Sequence, residues 1–204
     1  DHVLVASSSH YQGVERQYRY PIELNIQRKP TNHWTTTGAG AAVLGRHGSG
    51  PRITLHTTGR VVDYGLKDVN DMGSAMAPAA ADTLLRHLSD TQQTIGDYDL
   101  ILTGDLGSQG SKMFRLLMKD AGITLGGKHQ DCGSMLFSEK QQPGAGASGA
   151  ACSAVVIFGY ILKEMQNTRY HRVLALPTGC LHSPLTYQQG ETMPAICHAI
   201  TLEW

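Results

Sequence analysis

The chain has 204 residues, 41% of them hydrophobic, enough for one sizeable core or for part of a larger domain. Seventeen Lys and Arg balance seventeen Asp and Glu, so a formal net charge of zero offers no general attraction to nucleic acid or to an anionic membrane surface; no nucleic-acid partner is expected. Four cysteines, Cys132, Cys152, Cys180 and Cys197, show no C-x-x-C spacing, which argues against a zinc knuckle or a dense disulfide framework and fits a reducing compartment.

The first stretch, "DHVLVASSSH", lacks an initiator Met and enters a strand-like run at Val3 with no basic or long apolar leader before it. We read the chain as a piece of a longer protein. Residues 9 to 35 then show no strong period, and an irregular loop of that length is expected to be a lid or an interface arm. Strand signals follow in "AAVLG" (41 to 45) and "RITLHTTGRVV" (52 to 62). A helix is predicted over 74 to 89, where Ser74 can cap; Pro78 is tolerated only in a first turn, which places the helix proper near Ala77. "DLILTG" predicts a buried strand, and a helix over 111 to 121 has Ser108 or Ser111 as its cap and Gly122 just past its end. "SMLF" reads as a further strand, 148 to 166 as a helix, and "RVLALPT" and "AICHAITLEW" as the last strands. The uncharged run from Gln141 to Leu162 approaches membrane-spanning length, but only "VVIFGYIL" within it is strongly apolar, so a buried helix is expected. Strands alternating with helices predict an α/β layering: a mixed, mostly parallel sheet with helices on both faces.

The motifs that carry chemistry elsewhere are mostly missing. "GAGASG", Gly144 to Gly149, fits G-x-G-x-x-G, but it follows "SEKQQP" rather than a strand, and no acidic residue closes "RVLALPT" to hold a ribose; close helix packing explains it better. No nucleophile elbow, phosphate loop or H-E-x-x-H pair occurs. Cys152 falls on the first turns of an apolar helix, the setting of an inert thiol; Cys180, in "PTGCLHSP", is the better reactive residue, although a plain structural thiol remains the favoured reading. His182 and His198 lie near cysteines in sequence without metal-site spacing, so no metal is expected.

One stretch remains to be explained: "YDLILTGDLGSQGSKMF", Tyr98 to Phe114, runs from a strand through a glycine-rich turn into a helix, yet its turn holds a single carboxylate, Asp105. Together with "TTTGAGAAVLG", "VNDMGSAMAPAAADTLLRHL", "HQDCGSMLF" and "GAGASGAACSAVVIFGYILKEM", it resembles the stage V sporulation protein AD family of spore-forming bacteria, from about Ser7 to Glu203. The resemblance implies a thiolase-like fold similar to ketoacyl synthase III enzymes, of which this chain would be a partial copy. Residues 1 to 48 would be the last strands and arm loop of the N-terminal half, and 49 to 204 the C-terminal half. The absent portion would carry the position of the acyl-accepting cysteine.

By the same resemblance, Asp105 and Ser108 stand where those enzymes carry a histidine and an asparagine, and Ala147 stands where they carry a second asparagine. No catalytic set survives that comparison. The family's association with dipicolinic acid, a rigid aromatic dicarboxylate moved as its calcium salt, implies a binding role in spore uptake and germination release. Membrane-embedded subunits of the spore dipicolinate channel would be its partners, and it would lie peripherally on the inner spore membrane; a homodimer is a further possibility of that resemblance. The residues it assigns to ligand binding are Met72, Gly73, Gly104, Asp105, Ser108, Ala147, Ser148 and Gly149. In the expected geometry two helix N-termini, near Ser108 and Ser148, present unpaired N–H groups to a carboxylate. No cofactor is expected. The alternatives are an acyl-thioester condensing or transferring enzyme, and a structural subunit with a vestigial cleft.

Overall fold

The structure, a computed structural model, describes residues 2–12 and 29–204; most of the long loop expected as a lid or arm lies outside the described residues. At its centre is a five-stranded sheet with the order β4 (Arg52–Thr57), β11 (Ala199–Glu203), β8 (Arg172–Leu176), β5 (Leu100–Thr103), β6 (His129–Asp131). β5 runs parallel to both its neighbours and β11 antiparallel to both of its own, so the sheet is mixed. Outside it are an antiparallel ribbon of β1 (His2–Ser9) and β3 (Gly38–Gly45), a parallel pair of β2 (His33–Thr35) and β7 (Gly146–Ser148), and an antiparallel pair of β9 (Thr178–Cys180) and β10 (Ala195–Cys197).

Helices cover both faces of the central sheet because its two middle strands are apolar on both sides. Ile101, Leu174 and Leu176 point to a core shared with α1 (Met72–Thr91) and α2 (Gly107–Asp120), through Met76, Leu84, Phe114 and Met118. Their sequence neighbours Leu100, Leu102, Val173 and Ala175 point the other way, onto Cys152, Val156, Ile161 and Met165. Those residues belong to α4, a continuous helix built of an α segment Ala150–Val156, a π turn Ile157–Ile161 and an α segment Leu162–Gln166. The apolar run "VVIFGYIL" thus turns Val156, Ile157 and Ile161 into the core and leaves Gly159 and Tyr160 exposed, and among the described residues no helix is long and apolar enough to cross a membrane.

Five sequence expectations need correction. α1 begins at Met72, with Asp71 accepting from the Ser74 N–H at 3.2 Å, and Pro78 lies inside the helix. Its first turn packs tightly: a Cβ on Gly73 would come within 2.2 Å of the Leu106 carbonyl oxygen, and one on Gly110 within 2.7 Å of Gly73, so α1 and α2 touch backbone to backbone. α2 likewise starts earlier than predicted, at Gly107, with neither Ser108 nor Ser111 as cap, while Gly122 follows its end with φ of 82° as a terminating glycine should. "SMLF" is no strand; the strand is β6, "HQD", and Cys132–Leu136 forms the short helix α3. The strand expected over 52 to 62 stops at Thr57, and the one over 195 to 204 breaks at His198 into β10 and β11.

Candidate functional site

The parallel strands β5 and β6 end side by side, with Thr103 paired in register to Asp131, so the turns that follow them meet at one edge of the sheet. Asp131 is the hub of that edge. Its Oδ2 accepts from the Thr103 hydroxyl at 2.7 Å and the Leu106 N–H at 2.9 Å; its Oδ1 accepts from the Gly107 N–H at 2.9 Å, the Ser134 N–H at 3.0 Å and the Ser134 hydroxyl at 3.3 Å. One buried carboxylate therefore closes the N-terminal ends of both α2 and α3.

Asp105, also buried, is the second carboxylate. Its Oδ1 accepts from the Thr178 hydroxyl at 3.1 Å and its Oδ2 from the Gly149 N–H at 3.1 Å, the residue that opens α4. Loss of water raises both groups: Asp105 is pushed up to about 6 and Asp131 to about 7, the latter helped by the neighbouring charge of Asp105. Behind Asp131 runs a hydrogen-bonded chain. Arg115 Nε donates to His129 Nδ1 at 2.9 Å, which leaves His129 Nε2 to donate to Thr103 Oγ1 at 3.0 Å. Burial and the adjacent Arg115 guanidinium hold the His129 ring neutral, down to about 3.

This geometry overturns two premises of the sequence reading. The helix ends expected to offer unpaired N–H groups already have internal partners: Leu106 and Gly107 donate to Asp131, Ser108 N–H to the Ala145 carbonyl at 2.7 Å, Gly149 N–H to Asp105, and Ala151 N–H to the Ser9 hydroxyl at 3.1 Å. Nor does Ser108 or Ser111 cap α2, since Asp131 does so from another strand.

The expected ligand residues divide accordingly. Gly104, Asp105 and Gly149 come together, with Ala147 close by: a Cβ on Gly133 would touch both the Ala147 carbonyl oxygen, at 2.5 Å, and Asp105 Cα, at 3.3 Å. Ala147 and Ser148 are buried in β7, and the Ser148 carbonyl accepts from the Thr36 N–H. Ser108 is exposed, whereas Met72 and Gly73 serve the α1–α2 crossing. The glycines of "GAGASG" act in close packing, Gly144 against the Asn32 carbonyl and Gly146 against that of Gly133.

Asp131, Thr103, Thr178 and Ser9 were not anticipated. Asp131 was legible in principle, because Asp-x-x-Ser is a helix-start pattern, but reading "SMLF" as a strand concealed it. The thiols are poor nucleophiles. Burial raises Cys132, Cys152 and Cys197 far above the usual range, and Cys180, half-buried, is pushed up to about 12. His198 accepts from the Gly59 N–H, and among the described residues no group of His, Cys, Asp and Glu is placed to hold a metal.

A family model described as Stage V sporulation protein AD (SpoVAD) matches residues 1–203. The chain belongs to this family. It is 46% identical over 200 residues to Stage V sporulation protein AD of Bacillus subtilis (strain 168), a match that covers 98% of this chain and 59% of that relative. Among solved structures, 3-oxoacyl-[acyl-carrier-protein] synthase III from Aquifex aeolicus VF5 covers the whole chain with a TM-score of 0.52 at 11% identity, using 58% of its own length. The tetronic acid condensing enzyme AbyA1 does the same with 0.55 at 16% identity and 59% of its length. These likenesses show the fold: a thiolase-like α/β layering, of which this chain is a partial copy.

Proposed function

We propose that this sporulation-family chain is part of a non-catalytic protein that binds dipicolinate, for its uptake into spores and its release on germination beside membrane-embedded channel subunits. The observation that carries this reading is the state of Asp105 and Ala147, which stand where the resemblance puts a catalytic histidine and asparagine. Asp105 is committed to the Gly149 N–H and the Thr178 hydroxyl, and Ala147 offers no side-chain donor. Condensation needs donors aimed at a developing enolate oxygen, and thiolysis needs a base near a thiol. Neither is assembled around Asp105 and Ala147 among the described residues.

A dicarboxylate approaching Gly149 would meet the charge of Asp105. The raised pKa of that group supports the reading, because protonation near pH 6 turns it from a repelling anion into a donor for the ligand's carboxylate. Calorimetric titration of the intact protein with dipicolinate, with and without calcium, and with acyl-CoA tests this. The expected result is dipicolinate binding that tightens as pH falls towards 6, no turnover of acyl-CoA, and in Asp105→Asn an equal or tighter affinity with the pH dependence lost. A calcium-dependent loss of affinity in Asp105→Asn would assign that residue to a bridging cation instead, and acyl-CoA turnover would restore the enzyme reading. Gly149→Ala is a poor probe, since the φ of 98° at that position strains any side chain before a ligand is considered.

A further inference from the structure

The outer face of α2 carries Lys112, Arg115 and Lys119 around an exposed Leu116, and it borders a surface cavity of about 640 Å³ whose other walls are Thr124, Leu125 and Gly126. That volume lies in the range of small-molecule sites. The lining holds three cations and no acid. Spacings of three and four residues put the Cβ atoms of neighbours about 5 to 6 Å apart, along roughly 10 Å of the helix, and like charges so placed weaken a helix. Four described cations pair with carboxylates: Lys29 with Asp68, Arg60 with Asp82, Arg169 with Glu164 and Arg172 with Glu203. Lys112 and Lys119 are among the described cations with no acidic partner within salt-bridge distance, which leaves their charge open to an anion.

Arg115 is held in place. Its Nε donates to His129 Nδ1 and its Nη2 to the His129 carbonyl, both at 2.9 Å, so two bonds from one residue orient the guanidinium and leave Nη1 unengaged. A guanidinium fixed in this way loses little further freedom on meeting an anion. The same Arg115 begins the chain through His129 and Thr103 to Asp131, whose carboxylate closes α2 and α3.

We infer that this cavity is an anion site, separate from the buried carboxylates, for an oligophosphate-bearing ligand. Its phosphates would lie along Lys112, Arg115 and Lys119, and its apolar portion would rest on Leu116 and Leu125. A strip of three cations spread over several ångströms suits a chain of charges better than a single one, and the apolar floor suits a ligand with an organic part. The site is independent of dipicolinate binding, and Arg115 and His129 link it to the α2 and α3 caps.

The test is titration of the intact protein with tripolyphosphate, beside vesicle co-sedimentation on phosphatidylglycerol and on phosphatidylcholine. Tripolyphosphate should bind, and Lys112→Glu and Lys119→Glu, both at exposed positions outside the core, should each weaken it about tenfold or more, with melting temperatures unchanged. Rising salt should weaken it further. Dipicolinate affinity should be the same in both variants, so loss of one binding activity without the other separates the two readings. Charge-sensitive binding to phosphatidylglycerol vesicles but not to tripolyphosphate would move the phosphate source to a lipid headgroup and overturn the free-ligand assignment. No tripolyphosphate binding by the parent, or binding indifferent to both lysines, would overturn the site.

Discussion

The node around Asp131 and the free end of the β1–β3 ribbon treat water in opposite ways. Asp131 is a charge sealed from solvent, and five donors converge on it from β5, from the start of α2 and from α3. In the ribbon, Val3, Leu4 and Val43 are apolar and are 61%, 70% and 66% exposed. Successive strand residues point to opposite faces, so exposure of Val3 and Leu4 together means that both faces of the ribbon are open at that end. The difference teaches where this chain is self-sufficient. The sheet edge that gathers the helix starts completes its own hydrogen bonding, whereas the ribbon leaves apolar surface of the kind that promotes association.

Removing the carboxylate tests the first side most severely. Asp131→Ala orphans buried N–H groups of Leu106, Gly107 and Ser134 at once, and denaturant unfolding should show a loss of about 4 kcal/mol, with Asp131→Asn losing about half as much because one oxygen remains. A loss below about 1 kcal/mol for the alanine variant would mean that the node does not hold the helix starts.

The pH dependence sharpens the same side. Asp105 and Asp131, at about 6 and about 7, titrate above the roughly 3.9 of an unfolded aspartate, so the folded state binds more protons between about pH 4 and 7. Their contribution is fully present below about pH 4 and is lost as pH rises through 6 to 7. His129, held down to about 3, acts in the opposite sense: its contribution is present above about pH 6.5 and is lost as pH falls. The informative quantity is therefore a difference of curves. From pH 4 to 7 the parent should lose stability relative to Asp131→Asn, by no more than about 1.4 kcal/mol per pH unit for each proton involved. Parallel curves would show that Asp131 titrates normally.

Asp105→Asn should change stability by less than about 1 kcal/mol, since an amide oxygen can still accept from Gly149 N–H or Thr178. The smallest effect on folding is expected in the ribbon, where Leu4→Lys with Val43→Lys should stay within about 0.5 kcal/mol of the parent. Sedimentation velocity of residues 1–204 alone should nevertheless show self-association that these two changes reduce. A monodisperse parent would end the comparison, because the ribbon would then need no cover.

Much of the fold was legible from local pattern. The strands at "DLILTG" and "RVLALPT" and the apolar run of α4 follow from hydrophobic runs of the right length, and Gly122 marks a helix end through its backbone freedom. β2 and β7 escaped notice because three-residue strands of mixed polarity have no period to detect. The site was legible only in part. "DLGSQGS" marked a turn between strand and helix, and family resemblance drew attention to Asp105 and Gly149, which do meet.

What the sequence determined by itself is whatever depends on neighbours along the chain: the α/β alternation, the helix that carries the apolar run 155 to 162 with Val156, Ile157 and Ile161 buried, and the absence of common catalytic signatures. What only the tertiary structure decided is which donor meets which acceptor. Thr103, Leu106 and Asp131 are spread over 29 positions, and their meeting depends on the parallel register of β5 with β6. The close approach of α1 and α2 depends likewise on contact between Gly73 and Gly110. A helix terminus has unpaired N–H groups by its own geometry, but whether a ligand or a distant side chain satisfies them is settled by packing, since burial without a partner costs too much to persist. Here Asp131 and Asp105 reach those groups from other strands and turns, and no local pattern in the helices themselves records it.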